Sequence, residues 1–230
     1  SLTDRFIPAV SSDEFVLLAK VDSKSLVLTL SQSGETFDTI RALKFAKSKG
    51  AKTAAIVNVM GSSISRLVDK VILQGSGPEI CVISTKAAFA QMITLTILAL
   101  KLSLKKKKIK RREYDASIAA LRELPEVIQN ILNERSGFIH RIANNYSKVK
   151  NWLYLGRGIY YPIALESALK MKEVAYVHAE GMPGGFLKHG TLAMIDQDVN
   201  SIVFIPPRSD KELYESTIHS VEEIRARSGF

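Results

Sequence analysis

A strand that ends in a polar glycine turn and restarts as a helix is the feature that most restricts how this chain folds. SLVLTL at 25–30 reads as a buried strand, and the turn Ser31-Gln32-Ser33-Gly34 follows it. Residues 35–49 then place Ile40, Leu43 and Ala46 at helical spacing and stop at Gly50. Short β-rich apolar runs keep alternating with amphipathic helical stretches, the pattern of an α/β parallel sheet. Further strands are expected at 53–57, 71–73, 152–155 and 201–205. The expected helices are a short one capped by Gly61-Ser62-Ser63 and ending near Val68, a strongly apolar one over 84–102, and two over 162–176 and 210–227. Residues 113–149 read as a pair of connecting helices divided near Ser136-Gly137, with Pro125 a kink in the first. Segments 26–47 and 151–172 are both strand–turn–helix units carrying Ala-Leu-Lys, a faint internal echo.

The turn after the first strand carries chemistry. Open α/β sheets bind ligands outside the carboxyl ends of their strands, and free N–H groups at a helix start attract an anion. Gly34 lets the backbone approach closely or take a positive φ. Ser31, Ser33 and Thr36 supply hydroxyls and Gln32 an amide. A helix cap needs one such residue and this turn offers several, so phosphate binding is the stronger reading. Capping by Ser33 or Thr36 is the competing one.

Two further features are chemically open. Glu166, Lys170 and Glu173 fall at i, i+4 and i+7 and share a helix face, with Leu165, Ala168 and Leu169 on positions expected to face a core. That stripe is either a solvated ion-pair face or the wall of a cleft where a carboxylate beside an ammonium moves protons. His189 sits in the glycine-flanked run GGFLKHG, and a histidine there serves general acid–base chemistry or merely lies at the surface.

Composition excludes some classes. Seven Lys and Arg between 105 and 112 account for most of the net charge of +9, leaving +2 elsewhere, and no stacking aromatics interleave with them. Nucleic-acid binding is not expected. The longest apolar run, 87–100, is broken by Gln91, Thr94 and Thr96, so no membrane span is expected either. No charged-then-apolar leader is visible at the N-terminus. The lone Cys81 has apolar neighbours and reads as a buried structural thiol in a reducing, cytoplasmic protein. No HExxH or CxxC spacing suggests a metal.

SQSGETFDTIRALKFAKSKGA, IVNVMGSSISRLVD and GPEICVISTKAAFAQ together resemble the first sugar isomerase (SIS) domain of glutamine–fructose-6-phosphate aminotransferases. YLGRGIYYPIALESALKMKEVAYVHAEGMPGGFLKHGTLAMID resembles the second SIS domain of the same family. SQSGET alone indicates SIS domains in general, whereas its combination with STKA, LKMKE and HAEG…LKHG is far more specific. The resemblance implies two SIS-type, flavodoxin-like parallel-sheet units with helices on both faces, both incomplete at the chain ends. The first unit would span 1–104, connecting helices 105–150, and the second unit 151–230. It implies that Ser31, Gln32, Ser33 and Thr36 hold a sugar phosphate and that Val82 and Ser84 line the sugar chain. Glu173 would move a proton between C1 and C2 with Lys170 and Glu166 beside it, and His189 would open the sugar ring in a neighbouring subunit of a homodimer. The activity implied is conversion of fructose-6-phosphate and glutamine-derived ammonia to glucosamine-6-phosphate, which needs a base and an anion clamp and no cofactor. A glutaminase domain is expected in the full-length protein.

Some family features differ or are missing. Phe186 stands where the family carries an acidic residue, Thr191 where it carries proline, and Cys81 and Ile83 replace smaller residues. Residues 1–30 contain no strand–Gly-Thr-Ser–helix unit, and neither the glutaminase cysteine nor the tail with the Schiff-base lysine is present. The resemblance therefore implies part of a larger enzyme, incomplete for activity as it stands. A fructosamine-phosphate deglycase or another SIS isomerase remains an alternative, and a non-catalytic sugar-phosphate-binding module a second one.

Overall fold

A computed structural model describes residues 7–196, 198–227 and 229, in two compact units, 1–130 and 131–230. In the first unit the strands β1 (Leu26–Ser31), β2 (Lys52–Val57) and β3 (Lys70–Leu73) form a parallel sheet in that order. Helices α1 (Ser12–Leu18), α2 (Phe37–Ser48), α3 (Ser63–Leu67) and α4 (Thr85–Lys105) complete it. Leu43 of α2 and Ile64 of α3 close over Ala55 and Val57 of β2, all four buried. Full burial of a side chain such as Leu43 stabilises by about 1.5–3 kcal/mol. Between β2 and β3 the tie is polar: Thr53 donates its N–H and its hydroxyl to Asp69 Oδ2 at 2.8 and 3.0 Å, which fixes where β3 starts.

The second unit is a parallel sheet of order β5-β4-β6, with β4 (Asn151–Gly156) between β5 (His178–Pro183) and β6 (Val199–Val203). Alternation along β4 sends Leu153 and Leu155 to one core and Tyr154 to the other. Ala164 and Ala168 of α6 (Tyr160–Ala175) cover the Tyr154 side, while Ile224 of α7 (Lys211–Arg225) joins the Leu153 side. Both faces of this sheet are therefore covered by helices. The chain leaves β4 toward β5 on one side and returns as β6 on the other, so the carboxyl end of β4 is a topological switch point.

Several expectations need correction. The connecting region is one helix, α5 (Arg111–Asn145), with Pro125 inside it and no break at Ser136-Gly137. The Ser136 hydroxyl donates back to the Leu132 carbonyl within the helix, and a single glycine costs only about 1 kcal/mol relative to alanine. Cys81 is exposed, because the segment between β3 and α4 is an irregular loop whose neighbours Ile80 and Val82 are also exposed. Leu165 and Leu169 are 43% and 41% exposed rather than in a core, since the alanines of α6 make its contacts. α4, at 21 residues, is by length and composition able to cross a membrane, contrary to the reading of 87–100; the core helix of a soluble protein has the same length and composition. The last strand lies at Val199–Val203, slightly before the expected 201–205.

Two elements went unread in the sequence. α1 packs on α2 through an edge-to-face Phe15–Phe45 contact at 6.4 Å, and the Thr39 hydroxyl donates to Ser12 Oγ at 3.1 Å. Residues 1–6, at the start of the stretch expected to lack a strand–turn–helix unit, lie outside the described residues. β5 (HAEGMP) contains a glycine and a proline that argue against a strand, but an edge position tolerates both.

Gly181 of β5 shows how closely α6 approaches the sheet: a Cβ there would sit 2.6 Å from Leu165 Cα. Gly181→Ala is expected to destabilise the second unit by about 1–3 kcal/mol. Urea unfolding followed by the fluorescence of Trp152, the chain's one tryptophan, measures it.

Candidate functional site

The turn between β1 and α2 is built as a closed loop of donors and acceptors. Gly34 N–H donates to Ser31 Oγ at 3.0 Å and Glu35 N–H to Ser33 Oγ at 3.2 Å, while the Ser31 and Thr36 hydroxyls lie 3.5 Å apart. Gly34 has φ +68°, and a Cβ would fall 2.1 Å from Ser62 Oγ, so this position excludes every other residue twice over. The turn is pinned to α3 as well: Ile64 N–H donates to the Gly34 carbonyl at 3.0 Å, and Ser63 N–H to Glu35 Oε1 at 2.7 Å. The Ser63 hydrogen bonds, ahead of other effects, hold the Glu35 carboxyl below its ordinary pKa.

Thr36 is the N-cap residue of α2, yet its side chain makes no capping bond. The capping explanation of this hydroxyl therefore fails, although Ser33 does take up one local N–H. The first N–H groups of α2 are thus not satisfied by a cap, and the positive end of a 12-residue helix meets a cluster of hydroxyls. That arrangement suits an oxyanion.

Asn58, not singled out from sequence, ties this turn to the loop before α4. Its N–H donates to the Gln32 carbonyl at 3.2 Å, its side-chain amide donates to the Gly77 carbonyl at 2.7 Å, and its side-chain oxygen accepts from Ser76 N–H at 3.1 Å. An asparagine just past a strand is the only signal the sequence held for it. Further along that loop Val82 is 85% exposed, and Ser84 opens α4 in a left-handed conformation, φ 54°. Ser84 makes no capping bond; Glu79 serves instead, accepting from Ala87 N–H at 3.1 Å.

In the second unit α6 brings together the stripe read from its spacing. Lys170 Nζ lies 2.9 Å from Glu173 Oε2 and 3.3 Å from Glu166 Oε1. The Lys170 and Glu173 side chains are only 21% and 27% exposed, so the pair is partly withdrawn from water. Burial pulls the Lys170 pKa down, but the hydrogen bond with Glu173 and the charge of Glu166 outweigh it and hold the ammonium above its ordinary value. Lys170 is thus a fixed cation beside a carboxylate, which leaves Glu173 and Glu166 as the groups able to accept a proton.

His189 is exposed, at the end of a turn in which its N–H donates to the Phe186 carbonyl at 2.9 Å. Its ring sits 5.2 Å from that of Phe186, so Phe186 now touches the histidine where an acidic residue was expected. The loop is braced from two sides. Lys188 pairs with Glu223 of α7 at 2.8 Å, and the Gly184 carbonyl accepts from Arg157 Nη2 and Ser220 Oγ, each at 3.3 Å. His178 and Glu180 lie on β5, and His140 on α5 meets Asn144 at 3.2 Å. Among the described residues no group of three or more His, Cys, Asp or Glu side chains is placed to hold a metal ion.

The chain is thus built of two parallel α/β units, one with a hydroxyl-lined turn ahead of a helix and one with a carboxylate–ammonium helix face. The family described as SIS domain matches residues 8–101 and 145–228, and the chain belongs to it. It is 43% identical over 226 residues to a glutamine–fructose-6-phosphate aminotransferase (isomerizing) of Methanococcus maripaludis, covering 98% of this chain and 37% of that protein. It matches the C-terminal domain of a glucosamine-fructose-6-phosphate aminotransferase from Francisella tularensis at TM-score 0.88 and 34% identity, covering 95% of this chain and 61% of the other. A glucosamine-6-phosphate deaminase from Thermotoga maritima shares the fold alone, at TM-score 0.67 and 15% identity, over 95% of this chain and 64% of that one. The chain thus spans little more than a third of the curated relative's length.

The electrostatics are testable. By NMR, Glu35 is expected to titrate below an ordinary glutamate. The Ser63–Glu35 contribution to stability is then complete above the ordinary value and is lost as pH falls through the lowered one. Glu173→Gln is expected to lower the Lys170 pKa, because burial is then opposed by Glu166 alone among its two partners; an unchanged Lys170 titration would show that Glu173 does not hold the ammonium.

Proposed function

We propose that this chain is the isomerase part of a glucosamine-6-phosphate-forming aminotransferase, acting on fructose-6-phosphate and glutamine-derived ammonia. Its SIS units are assigned to 1–104 and 151–230, with 105–150 connecting them. The observation that carries the reading is the turn at Ser31, Gln32, Ser33 and Thr36, with an uncapped helix start and a Gly34 admitting no side chain. These groups take the sugar phosphate, and Val82 and Ser84 approach the sugar chain. The 43% identity to an enzyme of that name supports the substrate.

In the reaction ammonia adds to the C2 carbonyl and water leaves. Glu173 then removes the C1 proton and returns it to C2, so the base is regenerated and the product is the amino aldose phosphate. Lys170, kept charged, stabilises negative charge on the enediol-like intermediate, and Glu166 holds Lys170 in place. His189 assists ring opening, presented by the braced loop to the second subunit of a homodimer. A glutaminase domain supplies ammonia, no cofactor takes part, and the protein works in solution in the cytoplasm, without nucleic acid or membrane.

Calorimetric titration with glucosamine-6-phosphate and glucosamine tests the phosphate reading. The phosphorylated sugar is expected to bind tighter, and Ser33→Ala/Thr36→Ala to weaken it by at least about tenfold; equal affinities for the two sugars would sink it. Full-length protein carrying Glu173→Gln is expected to bind substrate yet lose solvent exchange of the C1/C2 proton, and retained exchange would mean another base.

A further inference from the structure

The second unit contains a cavity that none of the roles above uses. It has a volume of about 530 Å³ and is lined by Arg157 and Gly158 after β4, Pro183 and Gly185 at the end of β5, and Asp210, Glu212, Leu213 and Ser216 at the start of α7. Each of these lies at or beyond the carboxyl end of a strand, at the switch point beside β4. Ligand crevices of open α/β sheets form at that place, and the volume is within the ordinary range for small-molecule sites.

Charge says what it fits. Arg157 is half-buried and carries a planar guanidinium cation. Its Nη2 donates to the Gly184 carbonyl and to Ser220 Oγ at 3.3 and 3.0 Å, but its Nε is buried with no partner. Among the described residues no carboxylate forms a salt bridge with it. Asp210 and Glu212 line the same cavity and are the anions nearest in kind. Asp210 is partly engaged as the N-cap of α7, accepting from Leu213 N–H at 3.4 Å, whereas Glu212 is exposed in the first turn. A cation partly withdrawn from water and without a counter-ion is disfavoured, and a buried N–H without an acceptor adds to the cost. Here the opposite charges are held on separate walls instead of meeting. A simple oxyanion would satisfy Arg157 but face two carboxylates, and a simple cation would face the guanidinium. A molecule carrying both charges satisfies both walls.

We propose that this cavity binds a small zwitterion, its oxyanion against Arg157 and its ammonium between Asp210 and Glu212. Two ligand classes have that chemistry, a free amino acid and an amino sugar phosphate. The glycines at 184 and 185 leave room for this side chain, since a Cβ would lie 3.1 Å from Arg157 Cγ at the first and 3.3 Å from Arg157 Nη1 at the second.

The test is ¹⁵N NMR of the 230-residue chain titrated separately with L-glutamine, glucosamine-6-phosphate and glucose-6-phosphate. Amides of Gly158, Gly185, Leu213 and Ser216 report this cavity, and those of residues 31–36 independently report the phosphate turn, so failure of either reading is seen by itself. Saturable shifts of the cavity amides with either ammonium-bearing compound are expected and identify its class; glucose-6-phosphate, lacking the ammonium, is expected to bind there at least about tenfold more weakly. Glu212→Gln, an exposed change that leaves the fold intact, is expected to weaken the zwitterion by about tenfold without moving the 31–36 response. No saturable shift with either zwitterion, glucose-6-phosphate binding equally well, or no effect of Glu212→Gln would overturn the proposal and leave Arg157 as a brace for the Gly184 carbonyl.

Discussion

The absence of a side chain at Gly34 is the constraint on which the first unit's chemistry depends. Ser62 Oγ occupies the space where a Cβ would stand, and the backbone there is left-handed. Because Gly34 can press against the start of α3, its carbonyl accepts from Ile64 N–H and Glu35 reaches Ser63 N–H. Those two bonds fix the turn from outside and add to the bonds that Ser31 Oγ and Ser33 Oγ accept within it. Thr36 is then left at the head of α2 without a capping duty. The carboxylate that braces the turn is directed at Ser63, whose hydrogen bonds hold its pKa below the ordinary value. A glutamate beside a helix start would otherwise compete for the same N–H groups as the proposed phosphate.

The second unit solves a different problem, holding a charged lysine partly out of water. Desolvation alone would push Lys170 toward its neutral form, and two carboxylates at i−4 and i+3 reverse that outcome. Lys170 therefore contributes stability that is complete below the ordinary lysine pKa and lost only as pH rises through its raised value. Across the neutral range the cation is constant, as the charge-stabilising role proposed for Lys170 requires.

The residues that carry the functional reading were legible where spacing alone decides geometry. Glu166, Lys170 and Glu173 meet because 3.6 residues make a turn, and the SQSG turn follows a strand because its apolar run ends abruptly. What the sequence hid was decided by tertiary context. β5 carries glycine and proline because α6 lies almost on its backbone and because an edge strand needs fewer ladder bonds. Leu165 and Leu169 looked like core residues, yet close packing on Gly181 leaves room only for Ala164 and Ala168. Ser136-Gly137 looked like a break and is not, because neither residue prevents helical backbone bonds. Asn58 and Arg157 escaped notice for a simpler reason: each acts by joining loops far apart in sequence.

Arg157 also shows why the second unit's two loops cannot vary independently. The residue after β4 donates to the Gly184 carbonyl after β5, and Ser220 of α7 donates to the same oxygen. Three residues further along α7, Glu223 takes Lys188. The segment that presents His189 is therefore gripped at both ends by α7, with Leu187 between the grips fully buried in the core beside Ile224. Movement of α7 would shift the histidine, and α7 begins at the cavity whose walls carry unmatched opposite charges. A ligand bridging Arg157 and Glu212 would pull on the arginine and on the first turn of that helix at once.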